Sequence, residues 1–210
     1  LSSHPVFVMP SGEASKVQSV ADAILQQMIE LEADRNVMVI GFGGGVVTDL
    51  AGYVASVYKR GVSLGLVPTS LLGMVDAALG GKNGINSGMY KNIIGTIHQP
   101  DFILFDYALL KTLPGDEWIN GFAEIIKHAC IRDEMMFSML ERYTIHEYQS
   151  DLTLTASLIE RNVKLKMAIA MADEQDKDIR LLLNFGHTLG HAIENLHNLP
   201  HGHAVSIGMV

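Results

Sequence analysis

The apolar run Val37-Met38-Val39-Ile40 ends in Gly41-Phe42-Gly43-Gly44-Gly45 and passes straight into a helical pattern over residues 46–58. Four consecutive apolar residues closed by glycine read as a parallel strand buried on both faces. A strand that turns through glycine into a helix commits the chain to a β-α unit, because a parallel partner strand is reached only by a crossover. Residues 64–67, stopped by Pro68-Thr69, and residues 102–105, ended by Asp106, supply further strands. Residues 5–9, closed by Pro10-Ser11-Gly12, read as another. Residues 15–32 place apolar side chains at helical spacing, with Ser15 as cap.

After Pro114-Gly115 the texture changes. Residues 117–141, 152–172, 187–197 and 205–210 read as helices, and no strand candidate follows. The expectation is α/β plus all-α: a Rossmann-like parallel-sheet domain over 1–116, then an all-helical domain over 117–210. The 11 methionines read as core filler. The sequence begins at Leu1 and stops just inside a helix start at Val210, so it reads as truncated at both ends.

A net charge of -8 argues against a nucleic-acid partner, which needs a basic face. Lys59, Arg60, Lys82 and Lys91 stand isolated among glycines and apolar residues, a pattern suited to a small anion. The single Cys130 excludes a disulfide framework and a cysteine zinc site. No run approaches a membrane span and no leader pattern opens the chain, so a cytoplasmic protein is expected.

The glycine turn 41–45 lets backbone approach a pyrophosphate at a helix N-terminus, or it is simply a tight turn. Its spacing departs from the usual Gly-x-Gly-x-x-Gly form. Asp49 complements the helix dipole or meets a ligand hydroxyl. In Gly80-Gly81-Lys82-Asn83-Gly84, the lysine is a solvated loop residue or a cation held over a phosphate or carboxylate. His187 and His191 share a helix face, as a chelating pair or as two core histidines. Glu124 and Lys127 form an exposed ion pair, or part of a site, since their neighbours are apolar. His201-Gly202-His203 offers two further imidazoles. Glu124, a histidine of the 187/191 pair and His201 are the donor types an open catalytic metal site uses.

Taken together, Gly43-Gly44-Gly45-Val46-Val47-Thr48-Asp49, Pro68-Thr69-Ser70-Leu71-Leu72, Asp76 to Asn86 with Gly80-Gly81-Lys82, Lys91-Asn92-Ile93-Ile94-Gly95, Gly121-Phe122-Ala123-Glu124-Ile125-Ile126-Lys127, Arg180 to Thr188 and His201-Gly202 resemble the 3-dehydroquinate synthases, of the sugar-phosphate cyclase superfamily, in order. The resemblance covers nearly the whole chain. It implies an NAD-dependent, metal-activated lyase of the shikimate pathway, with zinc as the metal and cobalt as the other choice. Its substrate would be a sugar-acid phosphate, DAHP, and the protein a homodimer.

By the same resemblance, Glu124, His187 and His201 hold the metal. Glu13, Lys16, Gly44, Gly45, Asp49, Thr69, Ser70 and Thr112 hold NAD. Asp76, Lys82, Lys91, Asn92, Lys127, Lys166, Arg180, Asn184 and His191 meet the substrate, and Arg60 reaches across the dimer. Lys82, Asn92, Lys127, Arg180 and His191 are the expected catalytic set. The sequence departs from the family at His203, where Glu is usual, at Asn83 and Ser70, where Thr is usual, and at Tyr53, a common Phe. Another sugar-phosphate cyclase, a metal-dependent polyol dehydrogenase and a non-catalytic fragment are the competing readings.

Overall fold

The computed structural model of the chain describes residues 4–174, 176–197 and 199–210. The first half builds α1 (Gln18–Glu30), β1 (Met38–Gly43), α2 (Gly45–Val57) and β2 (Ser63–Pro68), then a hairpin of β3 (Lys82–Ser87) and β4 (Tyr90–Ile97), and β5 (Phe102–Ile103). β1 pairs in parallel with β2, from Met38 opposite Ser63 to Gly43 opposite Pro68, and β2 pairs in parallel with β5. A Cβ on Gly41 would lie 2.8 Å from Ala51 Cβ, so glycine lets α2 lie directly on the strand.

β1 is a parallel strand as predicted, but it is not buried on both faces. Met38, Ile40 and Phe42 are 42%, 57% and 62% exposed. Ala51 and Ala55 of α2, with Leu25 and Met28 of α1, pack with Leu64 and Leu66 in one cluster. Among the described residues the helices therefore cover a single face. An all-apolar run does not say which face finds a partner.

Other local readings change too. Residues 5–9 form no strand, and Val6 and Val8 are exposed. Ser15 caps nothing: α1 starts at Gln18 after Val17, and Ser15 is buried in the 3-10 turn Glu13–Ser15. Val17 is extended and bridges Asn86, whose N–H donates to Lys16 O at 2.8 Å. The strand expected over 102–105 stops at Ile103, and the Asp106 carboxylate accepts from the Ala108 N–H at 3.0 Å to cap a 3-10 turn.

The glycine-rich hairpin lacks the alternating pattern of a strand pair. It is held by α2: a Cβ on Gly52 would fall 1.8 Å from Asn83 Oδ1. Asn83 Nδ2 in turn donates to Gly81 O and His98 O at 2.8 and 3.0 Å.

The helical half contains α3 (Gly115–Arg132), α4 (Glu134–Arg142), α5 (Ile145–Ser150), α6 (Leu152–Ala172), α7 (His187–His197) and α8 (His201–Gly208). α6 and α7 keep the predicted bounds, and α8 starts earlier than residue 205. The single helix expected over 117–141 is two. Asp133 leaves the helical region, and its carboxylate accepts from the Met136 N–H at 2.9 Å to start α4. α5, unforeseen, opens on a Thr144/Glu147 capping box.

Trp118, Phe122 and Ile125 of α3 pack with Met136, Tyr148, Leu158 and Ile159. Each such burial stabilises by about 1.5–3 kcal/mol. Met74 and Met136 fill the core as expected, whereas Met89, Met135 and Met171 are exposed. No helix among the described residues is long and apolar enough to cross a membrane.

Candidate active site

α3 buries two faces. Trp118, Phe122 and Ile125 meet the apolar core, while Glu124, Lys127 and His128 are buried polar groups. The pair Glu124–Lys127 is therefore not an exposed ion pair: both side chains are shielded from water and form a buried ion pair. Two distant segments converge on Glu124. His201 Nε2 lies 3.2 Å and His187 Nε2 3.6 Å from Glu124 Oε1. His187 Nδ1 is 3.1 Å from Phe185 O, which assigns the proton to Nδ1 and leaves Nε2 as a lone-pair donor.

Gly202 makes this convergence possible. Its N–H donates to Asn120 Oδ1 at 3.0 Å, and a Cβ there would sit 2.5 Å from Asn120 Cα. Ligand atoms of Glu124, His187 and His201 all lie within 4.8 Å of one another. One carboxylate and two imidazoles suit a zinc-type divalent ion, and three protein donors leave a position open. His191 stands beside them, its ring centroid 5.2 Å from that of His187. His203, the other imidazole of the His201-Gly202-His203 motif, belongs to no such cluster among the described residues, and its Nε2 is buried without a hydrogen-bond partner.

Next to this cluster opens a cleft of about 520 Å³ between the hairpin and the helical half. Lys82, Lys127, Lys166 and Arg180 line it, with Asp49, Asp76, Asn92, Asn184 and His187. Lys82 is no loop residue; it begins β3 and pairs with Asp176 at 2.5 Å. Arg180 is buried, donating to Gly80 O at 2.8 Å. Lys166 donates to the Asp76 carboxylate at 2.5 Å and to Asp76 O at 2.6 Å. A larger hollow of about 640 Å³ along α6 holds none of these groups. Its Arg161 and Asp133 already bond one another at 2.6 and 2.8 Å.

The electrostatics follow from cations packed among buried carboxylates. Burial alone would raise Asp76, but Lys166 and Lys127 outweigh it and hold the group well below the carboxylate range. Burial and Asp76 raise Glu124, yet Lys127 and the bond to His201 leave it at about 2. Burial, then Lys127, pushes His128 down to about 4, so it is neutral. Its Nδ1 lies 2.8 Å from Asn162 Oδ1. Burial lowers His201, but its bonds to Glu124 and Glu194 raise it to about 10. The acids thus hold a proton where a metal cation would sit.

The glycine turn does not itself line this cleft; it lies at the C-terminal edge of β1 and β2, where parallel sheets bind ligands. The Thr69 N–H donates to Gly43 O at 2.8 Å, and a Cβ on Gly44 would be 3.3 Å from Ser70 Oγ. Gly45 begins α2, whose N-terminus favours an anion. Lys16 is buried against Asp49 and donates to Asn92 Oδ1 at 2.6 Å. Glu13 accepts from Asn86 Nδ2 at 2.8 Å. Thr112 is exposed at the end of the 3-10 turn Tyr107–Thr112, and Arg60 is exposed beyond α2; neither lines the cleft.

Lys91 reaches α7, pairing with Glu194 at 2.6 Å. Glu194 and His128 were not singled out in the sequence. Glu194 had a signal: it lies three and seven positions after His191 and His187, on the same helix face.

The family described as 3-dehydroquinate synthase N-terminal matches residues 6–120, and that described as 3-dehydroquinate synthase C-terminal matches residues 121–210. A 3-dehydroquinate synthase of Saccharolobus solfataricus is 45% identical over 95% of this chain and 57% of its own length. One of Dictyoglomus thermophilum is 39% identical over 100% of this chain and 60% of its own length. The chain therefore spans somewhat more than half the length of these relatives.

Among solved structures, a 2-epi-5-epi-valiolone synthase of Streptomyces hygroscopicus with NAD+ and Zn2+ bound matches with a TM-score of 0.86 and 31% identity, over 96% of this chain and 57% of that one. A 2-deoxy-scyllo-inosose synthase with carbaglucose-6-phosphate, NAD+ and Co2+ matches with a TM-score of 0.83 and 29% identity, over 95% and 56%. An iron-containing alcohol dehydrogenase of Thermotoga maritima, 14% identical over 92% of this chain and 58% of that one, with a TM-score of 0.69, shares the fold. Matches that meet end to end at residues 120 and 121 leave no gap between the two halves, and the chain belongs to the 3-dehydroquinate synthase family.

Proposed function

We propose that the protein carrying this chain is a 3-dehydroquinate synthase, closing DAHP to 3-dehydroquinate with loss of phosphate, with NAD and a divalent ion, zinc before cobalt, as its bound groups. The observation that carries this reading is the meeting of Glu124, His187 and His201 beside a cleft lined by three lysines and an arginine. The donor set fits such an ion, and the close approach of Gly44 to Ser70 fits a backbone cradle for pyrophosphate. When bound, NAD would take up and return a hydride, and the ion would make the hydroxyl being oxidised more acidic.

This chain's residues do the rest by binding and orientation. Lys82, Lys127, Lys166 and Arg180 supply fixed positive charge for a substrate carrying a carboxylate and a phosphate. Asp76, held ionised, keeps the Lys166 ammonium in place. Lys91, Asn92 and His191 would hold the phosphate, and Asn184 a substrate hydroxyl. Gly44, Gly45, Asp49, Thr69 and Ser70 would hold NAD over the cleft, with Glu13, Lys16 and Thr112 at its margins.

The same proposal divides the chain near residue 116 into a dinucleotide-holding unit and a metal- and substrate-holding unit. It also makes the protein a cytoplasmic homodimer to which Arg60 contributes across the interface; the exposure of Arg60 supports that role. Another sugar-phosphate cyclisation is the second reading, favoured by the 0.86 TM-score to the valiolone synthase. Retention of Gly80-Gly81-Lys82 and the higher identity to dehydroquinate synthases favour the first.

The test is to supply DAHP, NAD and zinc and follow phosphate and NADH together. Phosphate release without net NADH is expected. Net NADH without phosphate would show a dehydrogenase, and neither product would leave only a binding role.

A further inference from the structure

Glu194 is buried, 5% exposed, yet it is neither one of the three expected metal ligands nor a lining residue of the cleft. Its two oxygens face two parts of the site. Oε2 lies 3.5 Å from His201 Nδ1, the ring nitrogen turned away from Glu124, and Oε1 accepts from Lys91 Nζ at 2.6 Å. His201 thus stands between two carboxylates, Nε2 toward Glu124 at 3.2 Å and Nδ1 toward Glu194.

We propose that Glu194 is a positioning residue, holding the proton of His201 on Nδ1 so that Nε2 is free for the metal, and tying Lys91 of the hairpin to the metal-bearing helix. The inference rests on the proposed metal site. A neutral imidazole has one protonated and one lone-pair nitrogen. A carboxylate beside Nδ1 fixes which is which, and it raises the basicity of the other. His187 has its own orienting partner in Phe185 O at 3.1 Å; Glu194 gives His201 the equivalent.

The cluster His191, Glu194 and His201 has the spacing of a second ion site. The Lys91 ammonium on Glu194 Oε1 already supplies a cation there, so the geometry favours one ion, at Glu124. The reach of Glu194 is also structural in consequence. Lys91 precedes Asn92, so the hairpin residues expected at the phosphate are anchored to the helix that carries His187 and His191.

Cobalt(II) titration of the metal-free chain tests this, read by the visible absorption of the bound ion. Glu194→Leu keeps the volume but removes the acceptor, and should weaken cobalt binding about 10–100-fold. Glu194→Gln keeps an acceptor oxygen, and should stay within about threefold of the wild type with a similar spectrum. Lys91→Ala should leave cobalt affinity within about threefold. Wild-type binding of one ion with this pattern supports the assignment. A leucine variant that binds like the wild type, or leucine and glutamine variants equally weakened, overturns it. A loss in Lys91→Ala equal to that in Glu194→Leu would make the pair a packing tether and overturns it as well. Two ions per chain in the wild type, with one lost in Glu194→Leu, would make Glu194 a ligand instead. No cobalt binding by the wild type would sink the metal reading itself, and this inference with it.

Discussion

Glu124 Oε1 lies 3.2 Å from His201 Nε2, although 77 positions separate the two residues. The contact joins α3 to α8 inside the protein, with Lys127 ion-paired to the other carboxylate oxygen. Glu124→Gln removes the one anionic donor of the trio and takes from the buried Lys127 ammonium the carboxylate it pairs with, leaving only the less close Asp76. Zinc affinity should fall by more than about 100-fold, since loss of outer-sphere partners alone costs 10–100-fold. The metal-free fold should lose about 3–5 kcal/mol, the usual cost of breaking a buried pair. Equilibrium dialysis and urea unfolding measure the two effects, and an unchanged zinc content would remove Glu124 from the ligand set.

Gly202→Ala tests the close approach that brings His201 in. The added methyl would sit 2.5 Å from Asn120 Cα and 2.8 Å from Asn120 O, all backbone. α8 must move away from α3, straining the bond from the Gly202 N–H to Asn120 Oδ1. A loss of about 1–3 kcal/mol is expected from overpacking, together with weaker metal binding because His201 moves with its helix. Thermal melting and zinc titration on one preparation decide it. Full stability with full metal affinity would mean that α8 is not clamped there.

His201 carries the proton a metal must displace. Its bonds to Glu124 and Glu194 overcome burial and set it at about 10, above the 6.5 of an ordinary histidine. In the metal-free chain the stabilisation from this group is complete below pH 6.5 and is lost as pH rises toward about 10. Metal binding at pH 8 should therefore release a proton, and apparent affinity should climb about tenfold per pH unit toward that value. An indicator dye in weak buffer records the release. Binding without proton release would place the ion elsewhere or make His201 neutral beforehand.

The sequence pattern carried the β1-turn-α2 unit and the bounds of α6 and α7, because each shows as local periodicity; Glu124, His187 and His201, which the family resemblance singles out, lie close enough for their ligand atoms to fall within 4.8 Å of one another. Much of what it does not show depends on tertiary partners. The glycines of the hairpin look like loop until Asn83 is seen seated on Gly52. β1 looks doubly buried because apolarity records no partner. The break at Asp133 and the capping box at Thr144 were present as local signals and were passed over inside a long apolar-rich stretch. Spacing puts Glu194 on the helix face of His187 and His191, but its bond to Lys91, 103 positions away, lies beyond any spacing rule.

Asp49 gives a prediction of opposite sign to the usual carboxylate. Burial raises it, Lys16 pulls it back, and the balance is a pKa of about 6 against 3.8 for the free side chain. Between those values the folded chain keeps a proton that the unfolded chain gives up, so this group's contribution to stability falls as pH rises from about 4 to about 6. Asp49→Asn removes the titration. Relative to the wild type, the variant should gain about 2 kcal/mol between pH 4 and pH 7. The absolute difference also contains the cost of leaving Lys16 unpaired, so the change with pH is the quantity that reads Asp49. Urea unfolding of both chains in the absence of NAD and metal supplies it. A difference that stays flat across that range would mean Asp49 is ionised as readily in the fold as in water, with the Lys16 pair fully offsetting its burial.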